Sequence, residues 1–324
     1  MHQLVILLLA LATSSFQAPR TPLLLVSNEG SADITIIDLN TRKPISTIYV
    51  RDRPRGIHVS PDGRTVYVAL SDSLPNMESG RDAIAAIDIA TRKLTGHIKS
   101  GTDPEEFGLS PDGRFLYASN EDAGTASVVE LKSNKVLATL VVGIEPEGVA
   151  VSPDGRWVYV TAETSNTVSV IETRSNEITH TFLVNVRPRA AAFSPDGKRA
   201  YITCEISGTV DIVDVAQHSV IASVKLENRS SKPVGVVVSP DNQTIYIANG
   251  GTSTVSVLDA ATRKVTARIP VGRRPWGIEI SRDGRFLYTA NGLSNDVSII
   301  DTRLQRVVAS IPAGRRPWGV AVVE

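Results

Sequence analysis

A tetrapeptide returns along this chain at a nearly constant interval. SPDG stands at 60–63, 110–113, 152–155 and 194–197, with the variants SPDN at 239–242 and SRDG at 281–284. Six positions before each serine is a proline: Pro54, Pro104, Pro146, Pro188, Pro233 and Pro275. A seventh, Pro317, opens the closing stretch RRPWGVAVVE, and the steps between prolines are 50, 42, 42, 45, 42 and 42. A period of this length decides the architecture before any single motif does, because each unit must bury its apolar faces against its neighbours.

Each unit contains four short segments with two-residue alternation or β-branched runs, such as GVAVS, RWVYVTA, NTVSVIE and EITHTFLV over 148–184. Four short strands per period of 42 describe a propeller blade, and no helical period competes with them. In S-P-D-G the proline presets φ, and glycine takes the left-handed conformation that side chains avoid, so this motif is a hairpin device. Two further columns keep the register. An acidic residue ends the third strand of every unit (Asp38, Asp88, Glu130, Glu172, Asp214, Asp259 and Asp301), and six tyrosines from Tyr67 to Tyr288 sit in the second strand. Packing and capping account for both.

The ends are complementary. Residues 21–50 supply a second, third and fourth strand without a first, whereas 318–324 supply a first strand with nothing after it. The sequence therefore predicts an all-β, seven-bladed propeller over 21–324, with four antiparallel strands per blade. Its C-terminal inner strand joins three N-terminal strands and removes the open edges.

Composition agrees. The chain has 324 residues, 42% of them hydrophobic but only 5% aromatic, with 23 Gly and 18 Pro, which suits many strands and turns. Thirty-four basic residues balance thirty-four acidic ones, so no net field draws the molecule to nucleic acid or an anionic membrane. LVILLLALA at 4–12 has the length of a signal-peptide core and is too short to span a bilayer, so residues 1–18 are expected to be a cleaved leader and the protein exported, periplasmic or extracellular, with no span left after leader removal. The single cysteine, Cys204, makes no internal disulfide. A monomer is expected.

The consensus P-x-G-V-x-V-S-P-D-G-R-x-V-Y-V-T-N resembles the YVTN family of β-propeller repeats, with YVAL, YASN, YVTA, YITC, YIAN and YTAN beginning at Tyr67, Tyr117, Tyr159, Tyr201, Tyr246 and Tyr288. With its leader and seven repeats the chain is similar to propeller proteins associated with PQQ-dependent alcohol catabolism. That resemblance implies a non-catalytic exported accessory beside a quinoprotein dehydrogenase system, without a cofactor of its own. The same repeat type also resembles the haem d1 domain of nitrite reductase and seven-bladed lactonases.

A scaffold this regular shows its function where it departs from symmetry, on loops at one face of the ring. Flanking the repeat prolines are Arg53 and Arg55, Asp103 and Glu105, Glu145 and Glu147, Arg187 and Arg189, Lys232 and Val234, Arg274 and Trp276, and Arg316 and Trp318. Acidic blades are thus flanked by basic ones, and Glu29, Asp72, Glu121, Glu163 and Glu205 follow the second strands. One reading is a ring of exposed ion pairs. The other is a mouth in which Arg55, Glu105, Glu147, Arg189, Arg274, Trp276, Arg316 and Trp318 bind a small anion or a partner protein, the two indoles and their arginines clamping a planar anion.

No catalytic or metal-binding residue is singled out. His58, His97, His180 and His218 are scattered over separate blades, and only His58 is placed to approach the channel. Cys204 reads as a packed side chain. The step of 50 marks an insertion at 71–82, carrying Met77, that reaches over the same face. The leading expectation is a binding or scaffold protein; the alternatives are a lactonase-type hydrolase at the same mouth and a cell-envelope interaction module.

Overall fold

A computed structural model describes residues 21–72 and 80–324. The expected leader and most of the 71–82 insertion, Met77 included, lie outside the described residues. Seven four-stranded antiparallel sheets follow one another around a ring. Blade 1 is composite: Leu23–Asn28, Asp33–Asp38 and Lys43–Tyr49 are completed by Pro317–Val323, which pairs antiparallel with Leu23–Asn28. Blades 2 to 7 occupy 53–98, 104–141, 146–183, 188–225, 233–270 and 275–312. The closure expected from the sequence is present in its expected register, Leu25 opposite Ala321 and Val26 opposite Val320.

Blades pack face against face, so their middle strands are buried on both sides. Thr167–Glu172 is covered at every position but its ends, whereas the outer strand Lys43–Tyr49 has no buried residue. Among the described residues seven apolar clusters fill the seven interfaces between blades. The closing one joins Leu24, Val26 and Val320 of blade 1 to Tyr288, Val297 and Ile299 of blade 7. The tyrosine column supplies these interfaces, and Tyr117 and Tyr159 are wholly enclosed. Ring stability therefore comes from removing apolar surface from water between neighbours, at roughly 25 cal/mol per Å².

The turns behave as their residues require. In the SPDG hairpin of blade 4, Ser152 Oγ donates to Asp154 Oδ1 at 2.6 Å and accepts from Trp157 N at 2.9 Å, while Gly155 has φ +70°. The acidic column caps the next turn: Asp88 Oδ1 accepts from both the N–H and the hydroxyl of Thr91. The longer step of 45 is occupied by a short 3-10 turn, Arg229–Ser231, capped by Asn228.

Two regularities of the inner strands position the mouth. In all seven blades the register between the repeat proline and the residue three positions on slips by one, a β-bulge next to the proline. Bulges re-aim side chains, and here the two residues after the proline are re-aimed. The hydroxyls of Ser27, Ser119, Thr161 and Thr203, in the third place of the Y-V-T-N column, lock the bulge. Thr161 Oγ1 accepts from Gly148 N at 2.9 Å, and Ser119 Oγ donates to Glu147 O of the next blade at 2.7 Å. The residue before the proline is left-handed in six blades, including Asp103 (φ +47°), Glu145 (+55°) and Arg187 (+64°), which is strained for a side chain. Its carbonyl accepts a backbone bond from the neighbouring loop in each case, as from Glu121 N to Asp103 O and from Glu163 N to Glu145 O.

Candidate active site

The sectored charges at the mouth are assembled into buried pairs that cross from blade to blade. Arg55 contacts Glu105 directly and lies 3.4 Å from Glu29 and 3.8 Å from Glu121. The Arg55 side chain keeps 14% of its surface and Glu105 only 1%. Three blades on from Arg55, Arg189 lies 2.9 Å from Glu147, contacts Glu163, and is 4.0 Å from Glu205. The exposed ring expected from the sequence is corrected: the proline bulge turns these side chains inward, where loss of one partner would leave the other charge buried and uncompensated.

Asp103, Glu105 and Glu121 converge with carboxylate oxygens within 4.8 Å of one another, a spacing that would suit a cation. Arg55 already bridges two of them, and Arg53 Nη2 donates to Asp103 at 3.1 Å. The cluster is thus an ion-pair cage with internal cations. Burial and the nearby Glu147 still push Glu121 up to about 7, with Arg55 acting against them.

The two indoles sit as their shared column suggested. Trp276 and Trp318 are near-parallel, with ring centroids 6.4 Å apart and 16° between planes. Trp276 also carries Arg189 at 5.2 Å and Arg274 at 4.6 Å over its rings. Arg274 pairs with Glu205 at 3.3 Å, whereas Arg316 stays on the rim, 65% exposed and 3.4 Å from Glu29. Of the eight expected site residues, Glu147, Arg189, Trp276 and Trp318 line one cavity. Arg55 and Glu105 form the separate pair described above, and Arg274 and Arg316 stand at the rim.

That cavity has a volume of about 170 Å³ and continues from the mouth into the channel, where it is lined by His58, Glu106 and Glu279. His58 Nε2 lies 2.8 Å from Glu106 Oε1. A carboxylate partner there fixes the neutral imidazole with its proton on Nε2 and the lone pair on Nδ1. The His58 side chain keeps 40% of its surface open toward the lumen although the inner strands encircle it. Burial opposes its charge, but Glu106, by proximity and by hydrogen bond, and Glu279 outweigh that and raise its pKa above the usual value. Gly56 makes room for the pair, since a Cβ there would come within 2.4 Å of Glu106 Oε1.

The sequence singled out no catalytic residue and did not pair His58 with an acid; the ring brings it against Glu106. The signal lay in two columns that are otherwise small. Two positions after the proline the residues are Gly56, Glu106, Gly148, Ala190, Gly235, Gly277 and Gly319; four positions after it they are His58, Gly108, Ala150, Ala192, Val237, Glu279 and Ala321. His58, Glu106 and Glu279 are the large polar departures, and only the ring brings them together. Arg189 adds a buried Nε–H without an acceptor. Elsewhere, Cys204 is fully buried and burial pushes its thiol far up, and His218 is turned to Tyr159 at 2.8 Å with its pKa lowered by burial, by His180 and by Arg156.

With this geometry in place, comparison with known proteins is informative. The family described as lactonase, 7-bladed β-propeller, matches residues 179–315. The cytochrome D1 heme domain matches residues 74–185. A solved Kuenenia stuttgartiensis hydrazine synthase chain is 26% identical, covering 83% of this chain and 89% of that one, with TM-score 0.74. A putative 6-phosphogluconolactonase from Bacteroides fragilis is 19% identical over 95% of this chain and 99% of its own, with TM-score 0.78. A periplasmic gluconolactonase from Pseudomonas aeruginosa is 20% identical over 94% and 99%, also at 0.78. No curated protein matches the sequence.

The chain is a seven-bladed β-propeller, and separate parts of it match the lactonase and cytochrome D1 heme domain families. The leading expectation, a non-catalytic accessory of PQQ-dependent catabolism, is overturned by the lactonase match and by the lactonases among the similar structures, which favour the hydrolase alternative. The YVTN likeness of the repeat remains a likeness. The haem group that the second match implies does not fit this channel. A cavity of about 170 Å³ is below the roughly 300–1,000 Å³ of clefts that take drug-sized ligands, and Glu106, Glu147 and Glu279 would oppose the carboxylates of a tetrapyrrole.

Proposed function

We propose that the protein is a lactonase-type hydrolase working in the channel cavity. The observation that carries this reading is the His58 and Glu106 pair, held in a small enclosed space with Arg189 and two parallel indoles. His58 Nδ1 takes a proton from a lumen water as its oxygen adds to the lactone carbonyl carbon. Glu106 holds the imidazolium that forms. Arg189, on the same cavity wall, favours the oxyanion by its charge as negative charge builds on the carbonyl oxygen. Collapse breaks the bond from the acyl carbon to the ring oxygen, and the imidazolium returns its proton to that oxygen. One water is consumed, and an open hydroxy acid leaves.

The test is a panel of five- and six-membered lactones, with and without divalent metal. Turnover above buffer is expected, falling about 10²- to 10⁴-fold in His58→Gln with the fold intact, the usual contribution of a positioned base. A panel with no turnover defeats the reading.

We also propose export, supported by the apolar core at 4–12 and by the periplasmic location printed for the Pseudomonas aeruginosa gluconolactonase. Sequencing the N-terminus of the protein from a periplasmic fraction should find it trimmed; a retained Met1 would argue against a cleaved leader.

A further inference from the structure

Resting on the hydrolase reading, we infer that the cavity selects small lactones without a phosphate and expels the acids they become. The ionisable residues on its wall are three carboxylates, Glu106, Glu147 and Glu279, against one guanidinium, Arg189, and His58. That leaves two net negative charges with neutral His58 and one with His58 protonated. Arg189 does not offset more than this, because Glu147, Glu163 and Glu205 already surround it. At the mouth, Arg274 is engaged with Glu205 and Arg55 with Glu105. Among the described residues the cavity wall carries no second Arg or Lys to join Arg189 in holding a phosphate.

The rest of the wall suits a neutral ring. Val234, Val236 and Ile278 are apolar, the indoles offer flat faces to ring C–H groups, and the glutamates accept hydroxyl hydrogens. Burial, with Glu324 and Glu106 adding to it and Ile280 N–H and His58 opposing, raises the Glu279 pKa. Hydrolysis turns a neutral ring into a carboxylate, so the same field that admits substrate repels product. In a cavity with low-dielectric walls such repulsion is felt strongly and weakens as salt is added.

The experiment compares kcat/KM for glucono-δ-lactone and its 6-phospho analogue at low and high salt, in the wild-type protein and Glu279→Gln. The neutral lactone should be favoured at least tenfold at low salt, with the gap narrowing in salt and in Glu279→Gln. Gluconate should inhibit only at concentrations well above the lactone KM. A phosphorylated lactone used equally well or better overturns the inference while leaving the hydrolase reading standing. So does a gap that neither salt nor Glu279→Gln changes, which would be steric. If neither lactone is hydrolysed, the hydrolase reading falls and this inference with it.

Discussion

The rim and the lumen of this channel handle charge in opposite ways. At the rim, Arg55 lies against Glu29, Glu105 and Glu121, and the groups lock neighbouring blades together. In the lumen, His58, Glu106 and Glu279 share a cavity with too little positive charge, and one imidazole faces water. Charge that is matched fixes a structure; charge left unmatched and hydrated is available for proton transfer and for selecting ligands. The conspicuous ionic sectors of the sequence therefore belong mainly to the scaffold, and the inconspicuous departures from glycine and alanine belong to the chemistry.

The largest expected effect breaks the rim. Arg55→Met strands Glu105, whose second oxygen Oε2 already lacks a hydrogen bond, and should destabilise the fold by about 3–5 kcal/mol. Chemical denaturation measures this, and Arg55→Met with Glu105→Leu should recover most of it. His58→Gln, by contrast, should leave the denaturation midpoint nearly unchanged. If Arg55→Met is as stable as wild type, the division between rim and lumen is wrong.

The next effect sharpens the lumen side. Because Glu106 and Glu279 favour the charged imidazole, the base form of His58 appears only as pH rises through a pKa above the ordinary histidine value. Glu106→Gln removes the largest of these supports, so the acid limb of kcat/KM should move to lower pH as kcat falls. An unmoved limb would separate Glu106 from the proton transfer. Smallest is Arg316→Ala at the exposed rim, expected to change stability by no more than about 1 kcal/mol. A larger loss in a thermal melt would mean that the pairing with Glu29 holds the closure.

How much of this was legible follows from where each signal is stored. Strands, turns and blade count are encoded locally and repeated, so the proline and SPDG columns place all seven blades. The complementary ends predict the pairing of Leu23–Asn28 with Pro317–Val323. The shared column of Trp276 and Trp318 foretells their stacking, since adjacent blades place equivalent residues side by side. Burial at the mouth was not legible, because it depends on a bulge in the inner strand that re-aims Arg55, Glu105, Glu147 and Arg189.

The sequence by itself determined a closed seven-bladed ring, because a repeat needs only neighbour packing to propagate and complementary ends to close. Only the tertiary structure decided the site. His58 and Glu106 are 48 positions apart, and Glu279 is farther still from both. A ring sets equivalent positions of successive blades around one axis, so side chains from distant blades meet in a space that no linear spacing specifies.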